Sequence, residues 1–209
     1  MTIYEFGDNA AQAVLIQPVD EHDLGCMENE VRQIAELCPV PFRLIAVKVD
    51  EWNRDLSPWA APAVFGREAF GAGAADTLAE ILTLCTDEAK AYYVGGYSLA
   101  GLFALWAACQ TDTFRGVAAA SPSLWFPGFL DYMEDHAPQS PAVYLSLGDK
   151  EARTRNPVMA TVADRIQQAH DLLCSRGVIT ALEWNPGNHF RDAERRTAKA
   201  FAWVIAQRV

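Results

Sequence analysis

Short apolar runs alternate along this chain with longer stretches of helical periodicity. Residues 13–17 (AVLIQ), 42–49 (FRLIAVKV), 91–95 (AYYVG), 116–120 (GVAAA), 142–147 (AVYLSL) and 178–184 predict a sheet of about six strands. Residues 2–6 read as a further strand at an edge. Met27, Val31, Ile34, Ala35 and Leu37 fall near helical spacing and predict a helix over 24–38, stopped by Pro39 and Pro41. Further helices are predicted over 77–86 with Asp76 as cap, from the sharp turn after Gly95 through Cys109, over 157–176 closed by Gly177, and over 191–208.

Several of the strand runs are apolar on both faces. That pattern belongs to a mostly parallel sheet covered by helices on each side, a compact three-layer α/β sandwich. No repeat, low-complexity tract or linker interrupts the pattern, so one domain over 1–209 is expected. Residues 51–73 form a loop rich in Pro, Gly and Trp. It is longer than a connection needs, which makes it a candidate functional loop.

Composition narrows the function classes. With 51% apolar and 21% charged residues the chain reads as globular. The N-terminus lacks the basic start and apolar run of a secretory signal, and the apolar stretch at 99–109 is too short to span a bilayer. A cytoplasmic protein is expected. The net charge of −10 argues against nucleic acid and anionic membranes as partners and leaves a small molecule. Arg191, Arg195 and Arg196 cluster, but among Asp192 and Glu194, which reads as a solvated helix face. The five cysteines form no CxxC pair or metal-ligand cluster, so reduced, mostly buried thiols are expected, with no metal and no cofactor.

The chemical signal is Gly95-Gly96-Tyr97-Ser98-Leu99-Ala100-Gly101, which follows a strand and opens a helix. A serine on such a tight turn points out of the sheet, and small residues two positions either side (Gly96, Ala100) let the helix pack closely. Ser98 is the candidate nucleophile, and the Leu99 backbone N–H is placed to hold a developing oxyanion. A serine hydroxyl needs a base. Of the four histidines, His189 follows the last strand in an NPGNH loop, whereas His22, His136 and His170 lie between acidic residues, in a polar loop and within a predicted helix. The orienting acid belongs after AVYLSL, where Glu151 is the first choice and Asp149 the second. A second oxyanion N–H is expected in the loop after FRLIAVKV, at Trp52 or Asn53, with Asn53 also a substrate contact. Trp125 and Phe126 serve equally well as pocket wall or as core, and Phe129 reads the same way.

At these residues the chain resembles the esterase family of α/β-hydrolases that includes esterase D and the enterochelin esterases. The matching pieces are GYSLAGLFALWA, AAASPSLWF, YLSLGDKE and NPGNHF, in that order. Alanine stands at position 100 where the family's pattern has a second glycine, and no large lid insertion is visible. The resemblance implies an α/β-hydrolase fold and cofactor-free cleavage of a small or medium acyl ester. It also implies nucleophile and base roles for Ser98 and His189. Some relatives in the family transfer acyl groups to sugars, so acyl transfer with the same triad stays open, as does a non-catalytic binding protein on the same fold.

Overall fold

A computed structural model describes residues 2–207. Seven strands form one sheet in the order β1-β3-β2-β4-β5-β6-β7. They are β1 (Thr2–Gly7), β2 (Ala13–Val19), β3 (Phe42–Lys48), β4 (Ala91–Tyr97), β5 (Phe114–Ala120), β6 (Ala142–Gly148) and β7 (Ile179–Asn185). The seventh is the edge strand expected at 2–6. It runs antiparallel to β3, and all other pairings are parallel.

The helices are α1 (Glu21–Leu24), α2 (Met27–Leu37), α3 (Trp52–Asp55), α4 (Ala74–Leu82), α5 (Leu99–Gln110), α6 (Phe129–Asp135), α7 (Val162–Ser175) and α8 (Ala193–Ala206). One apolar cluster packs α4, α5, α6 and α7 on one face of the sheet. The other packs α2 and α8 on the opposite face. This is the three-layer sandwich that strands apolar on both faces require. α5 is buried from Leu99 to Ala108 and has no polar face, as befits a helix enclosed on every side.

Several local expectations shift. The helix expected over 24–38 is two, because Asp20 and Asp23 form a capping box that starts α1 early and the chain turns at Gly25. Asp76 is not a cap. Ala74 and Ala75 extend α4 back to a Gly73 N-cap, which puts Asp76 in the first turn, where the helix dipole favours an acid. The 157–176 helix opens as a 3₁₀ turn at Met159–Thr161 and ends with Gly177 at φ 76. The predicted end of the last helix at Arg208 lies outside the described residues. Of the cysteines only Cys38 is buried. Cys26, Cys85 and Cys109 are half-buried, and Cys174 is exposed because Ala169 and Leu173 take the core side of α7. Among the described residues no helix is long and apolar enough to cross a membrane.

The chain runs from β2 outward to β3, then returns across β2 to β4. That reversal opens a crevice at the carboxyl ends of β2 and β4. Their pairing stops at Ile16 and Val94, so Pro18, which has no N–H, sits beyond it.

Candidate active site

Ser98 occupies the turn between β4 and α5, at the mouth of that crevice. Its backbone has φ 58 and ψ −117, unusual for a residue with a side chain. Two features hold it there. Its N–H donates to Ala120 O at 3.1 Å, and its carbonyl accepts from Ser123 N at 3.0 Å. The turn is tight enough that a Cβ on Gly96 would sit 2.6 Å from that of Ala100. A methyl at position 100 is therefore accommodated only because position 96 has none. The Leu99 amide opens α5, where an N–H has no acceptor in its own helix.

The loop between β7 and α8 brings His189 to this turn. Its Nε2 lies 3.0 Å from Ser98 Oγ. Its Nδ1 lies 2.7 Å from Glu151 Oε2. Glu151 comes from the turn after β6, and its side chain is 4% exposed. Burial alone would push its carboxyl up. The hydrogen bond and charge of His189, with donations from Gly148 N–H and the Ser121 hydroxyl, hold it below the usual range instead. Asp149, the second choice for this contact, points elsewhere. Its Oδ1 accepts from Gly187 N at 2.7 Å and fastens the histidine loop to the acid loop.

Four supporting residues carried no such expectation. The sequence places Arg196 on a solvated helix face, and the structure corrects this: it is 1% exposed. The inward face of α8 directs it under the site. There Nη1 donates to Glu151 Oε1 (2.7 Å), Tyr97 Oη (3.1 Å) and Ser121 Oγ (3.2 Å). Nη2 donates to the carbonyls of Asn188 (3.0 Å) and Pro186 (3.3 Å). Arg191 and Arg195 are exposed, as read. Tyr97 donates to His189 O at 2.7 Å and packs its ring on the imidazole, with centroids 5.0 Å apart. Burial, then the Glu151 charge, pushes its hydroxyl up to about 12, so it stays a neutral donor. Ser121, with φ 43, accepts from Arg196 and donates to Glu151 Oε1. Ser123 Oγ lies 3.2 Å from Ser98 Oγ.

The remaining expected residues fall nearby. Trp52 and Asn53 start α3, after β3, at the same carboxyl end of the parallel strands as Ser98. Asn53 is 7% exposed, and its carbonyl accepts from Ser57 Oγ and Gly71 N. The loop over 51–73 is an ordered cover. Ala61 pairs with Phe70, Phe70 and Phe65 pack on Trp125, and Phe70 and Trp59 pack on Phe126. Trp125 and Phe126, 8% and 2% exposed, are thus core beneath this loop, with only their edges reaching a cleft. His22 and His136 are exposed and His170 is half-buried on α7. Among the described residues no cluster of His, Cys, Asp or Glu could hold a metal ion.

No protein-family model and no curated protein sequence matches the chain. Solved structures do. An IroE-like serine hydrolase from Shewanella oneidensis superposes with a TM-score of 0.78 at 15% identity, over 96% of this chain and 74% of that one. The siderophore hydrolase EstA from Aspergillus nidulans gives 0.67 at 18% identity, over 96% and 86%. The enterobactin esterase FES from Shigella flexneri gives 0.66 at 14% identity, over 97% of this chain but only 54% of that one. The layer order, the mostly parallel sheet and these superpositions together establish that the chain has the α/β-hydrolase fold.

Proposed function

We propose that the protein is a serine esterase that cleaves a small or medium acyl ester through an acyl-enzyme on Ser98. One observation carries this reading: Ser98 Oγ, His189 Nε2 and His189 Nδ1, Glu151 Oε2 form an unbroken hydrogen-bonded line of 3.0 and 2.7 Å. That serine sits on a strained turn opening a buried helix. The fold it shares with serine hydrolases and siderophore esterases is in keeping with it.

In this reading Ser98 Oγ attacks the ester carbonyl as its proton passes to His189 Nε2. Glu151 receives the Nδ1–H bond, fixes the tautomer and stabilises the imidazolium. Charge developing on the carbonyl oxygen is met by the Leu99 N–H, with the Trp52 N–H at the start of α3 as second donor. The imidazolium then protonates the departing alcohol. Water, deprotonated by His189, releases the acid and restores Ser98.

A panel of chromogenic esters of graded chain length tests the reading beside a fluorophosphonate probe. Ser98→Ala and His189→Ala should each lower kcat/KM by roughly three or more orders of magnitude. The probe should label wild type and not Ser98→Ala. Full activity in both variants would overturn the assignment.

A further inference from the structure

β5 ends at Ala120, and the next three residues turn the chain toward the start of α5. Ser121 takes φ 43, Pro122 has its φ fixed by the ring, and Leu124 N–H donates to Pro122 O at 2.7 Å. Ser123 is pinned there by both of its backbone groups. Its N–H donates to Ser98 O at 3.0 Å, and its carbonyl accepts from Phe126 N at 2.9 Å. The residue is 1% exposed, and its hydroxyl has one hydrogen-bond partner among the described residues, Ser98 Oγ at 3.2 Å. Counting protons gives the direction of that bond. The Glu151 carboxylate only accepts, so His189 Nδ1 carries the hydrogen of the neutral imidazole and Nε2 is a bare acceptor. Ser98 has a single hydrogen, and it goes to Nε2. Towards Ser123, Ser98 Oγ can then only accept, so Ser123 is the donor.

We infer that Ser123 is a further catalytic residue, whose O–H stabilises the negative charge that develops on Ser98 Oγ. The inference rests on the esterase reading. In acylation Oγ bonds to the carbonyl carbon as its proton passes to His189 Nε2. In deacylation Oγ is the leaving atom: its bond to the carbonyl carbon breaks, the electron pair returns to it, and His189 gives back the proton. Both transition states place partial negative charge on the same oxygen, and the same hydroxyl faces it while keeping its own proton. A hydrogen bond to a charged oxygen is stronger than one to a neutral hydroxyl, so the contact favours the transition states over the resting enzyme. It is made to the nucleophile and not to the substrate, so it acts on rate and leaves binding alone.

The test uses Ser123→Ala, which removes the hydroxyl and keeps the backbone N–H that holds the Ser98 carbonyl. Two readouts are compared with wild type: the rate of labelling by a fluorophosphonate probe, which reports attack by Oγ alone, and kcat and KM on a 4-nitrophenyl ester. Labelling rate and kcat should both fall, by about 10–100-fold, with KM nearly unchanged, which is the factor a hydrogen bond to a charged group supplies. Ser123→Cys fills the space but offers only a weak S–H donor, so it should stay close to the alanine variant. It also repeats the measurement should alanine disturb the fold. A loss confined to KM, or a cysteine variant with wild-type rates, overturns the inference, because volume and not donation would then be what matters. Wild-type or faster rates in Ser123→Ala also overturn it, a gain showing that Ser123 draws the Ser98 proton away from His189. Ser98→Ala separates the two levels. If it abolishes turnover while Ser123→Ala keeps wild-type kcat, the esterase reading stands and the role of Ser123 falls. If turnover survives it, both fall.

Discussion

Replacing Arg196 with methionine keeps the volume of the side chain but removes its charge and its donors. In the wild type the side chain is 2% exposed and supplies five hydrogen bonds, to Glu151, Tyr97, Ser121, Asn188 and Pro186. Its loss leaves Glu151, 4% exposed, without its neighbouring cation, and two loop carbonyls without donors. Removing one partner of a buried ion pair costs about 3–5 kcal/mol, against a total stability of roughly 5–15 kcal/mol. For a chain of this size each kcal/mol moves Tm by about 2–4 °C, so Arg196→Met should melt roughly 6–20 °C lower. The acid and histidine loops are both fastened to this guanidinium, so kcat should also fall, by about 10–100-fold, with little change in KM. A third readout separates clamping from mere stability. Glu151 is held below its ordinary value of 4.5, so its stabilising contribution is present above that value and lost as pH falls through the folded one. Removing a cation 2.7 Å away raises the folded value toward the unfolded one, so the variant should lose less stability below about pH 4.5 than wild type does, while the acid limb of its kcat moves to higher pH. Scanning calorimetry and ester kinetics from pH 4 to 8 measure all three. Arg196→Lys keeps one charge but not the planar fork and should fall between. A methionine variant with wild-type Tm, kcat and acid limb would refute the role given to Arg196.

Two further outcomes follow from close contacts and from a displaced titration. A Cβ on Gly148 would lie 2.4 Å from Gly187 O and 2.9 Å from Arg196 Nη1. Gly148→Ala should therefore cost about 1–3 kcal/mol in urea unfolding and lower kcat, by parting Glu151 from His189. Asp23 is pushed up from 3.8 to about 6 by burial and then by the Asp20 charge. A carboxyl raised on folding favours the fold while protonated and opposes it once ionised, so stability should fall as pH climbs from about 4 to 6, by at most about 3 kcal/mol. Asp23→Asn should raise Tm at pH 7.5 more than at pH 4, and an equal change at both would contradict the cause given.

The strands were legible because a sheet covered on both faces writes itself as uninterrupted apolar runs. The buried α5 was legible for a related reason, since LAGLFALWAA has no polar side to expose. Ser98 and His189 could be picked out by position, one after a glycine-rich strand end and one after the last strand. Choosing between Glu151 and Asp149 needed coordinates, because two carboxylates two residues apart on a turn differ only in where the backbone aims them. α3 and α6, of four and seven residues, are too short to show a helical period. Arg196 shows the limit most clearly. Beside Arg195 and Glu194 it looks like solvent-facing charge, and only a carboxylate arriving from a turn 45 residues earlier makes its burial tolerable. Ser121 and Ser123 gave no signal, since a hydroxyl's partner decides its role.

The two halves of the site rest on very different ground. Ser98 precedes ten consecutive buried residues, whereas His189 sits between the exposed Asn188 and Phe190, and Phe190 is 90% exposed. Openings of the loop around His189 can therefore disconnect the base while the sandwich stays intact. In the proposed reading, mild heating or denaturant should therefore silence ester turnover reversibly before the amides of α5 begin to exchange.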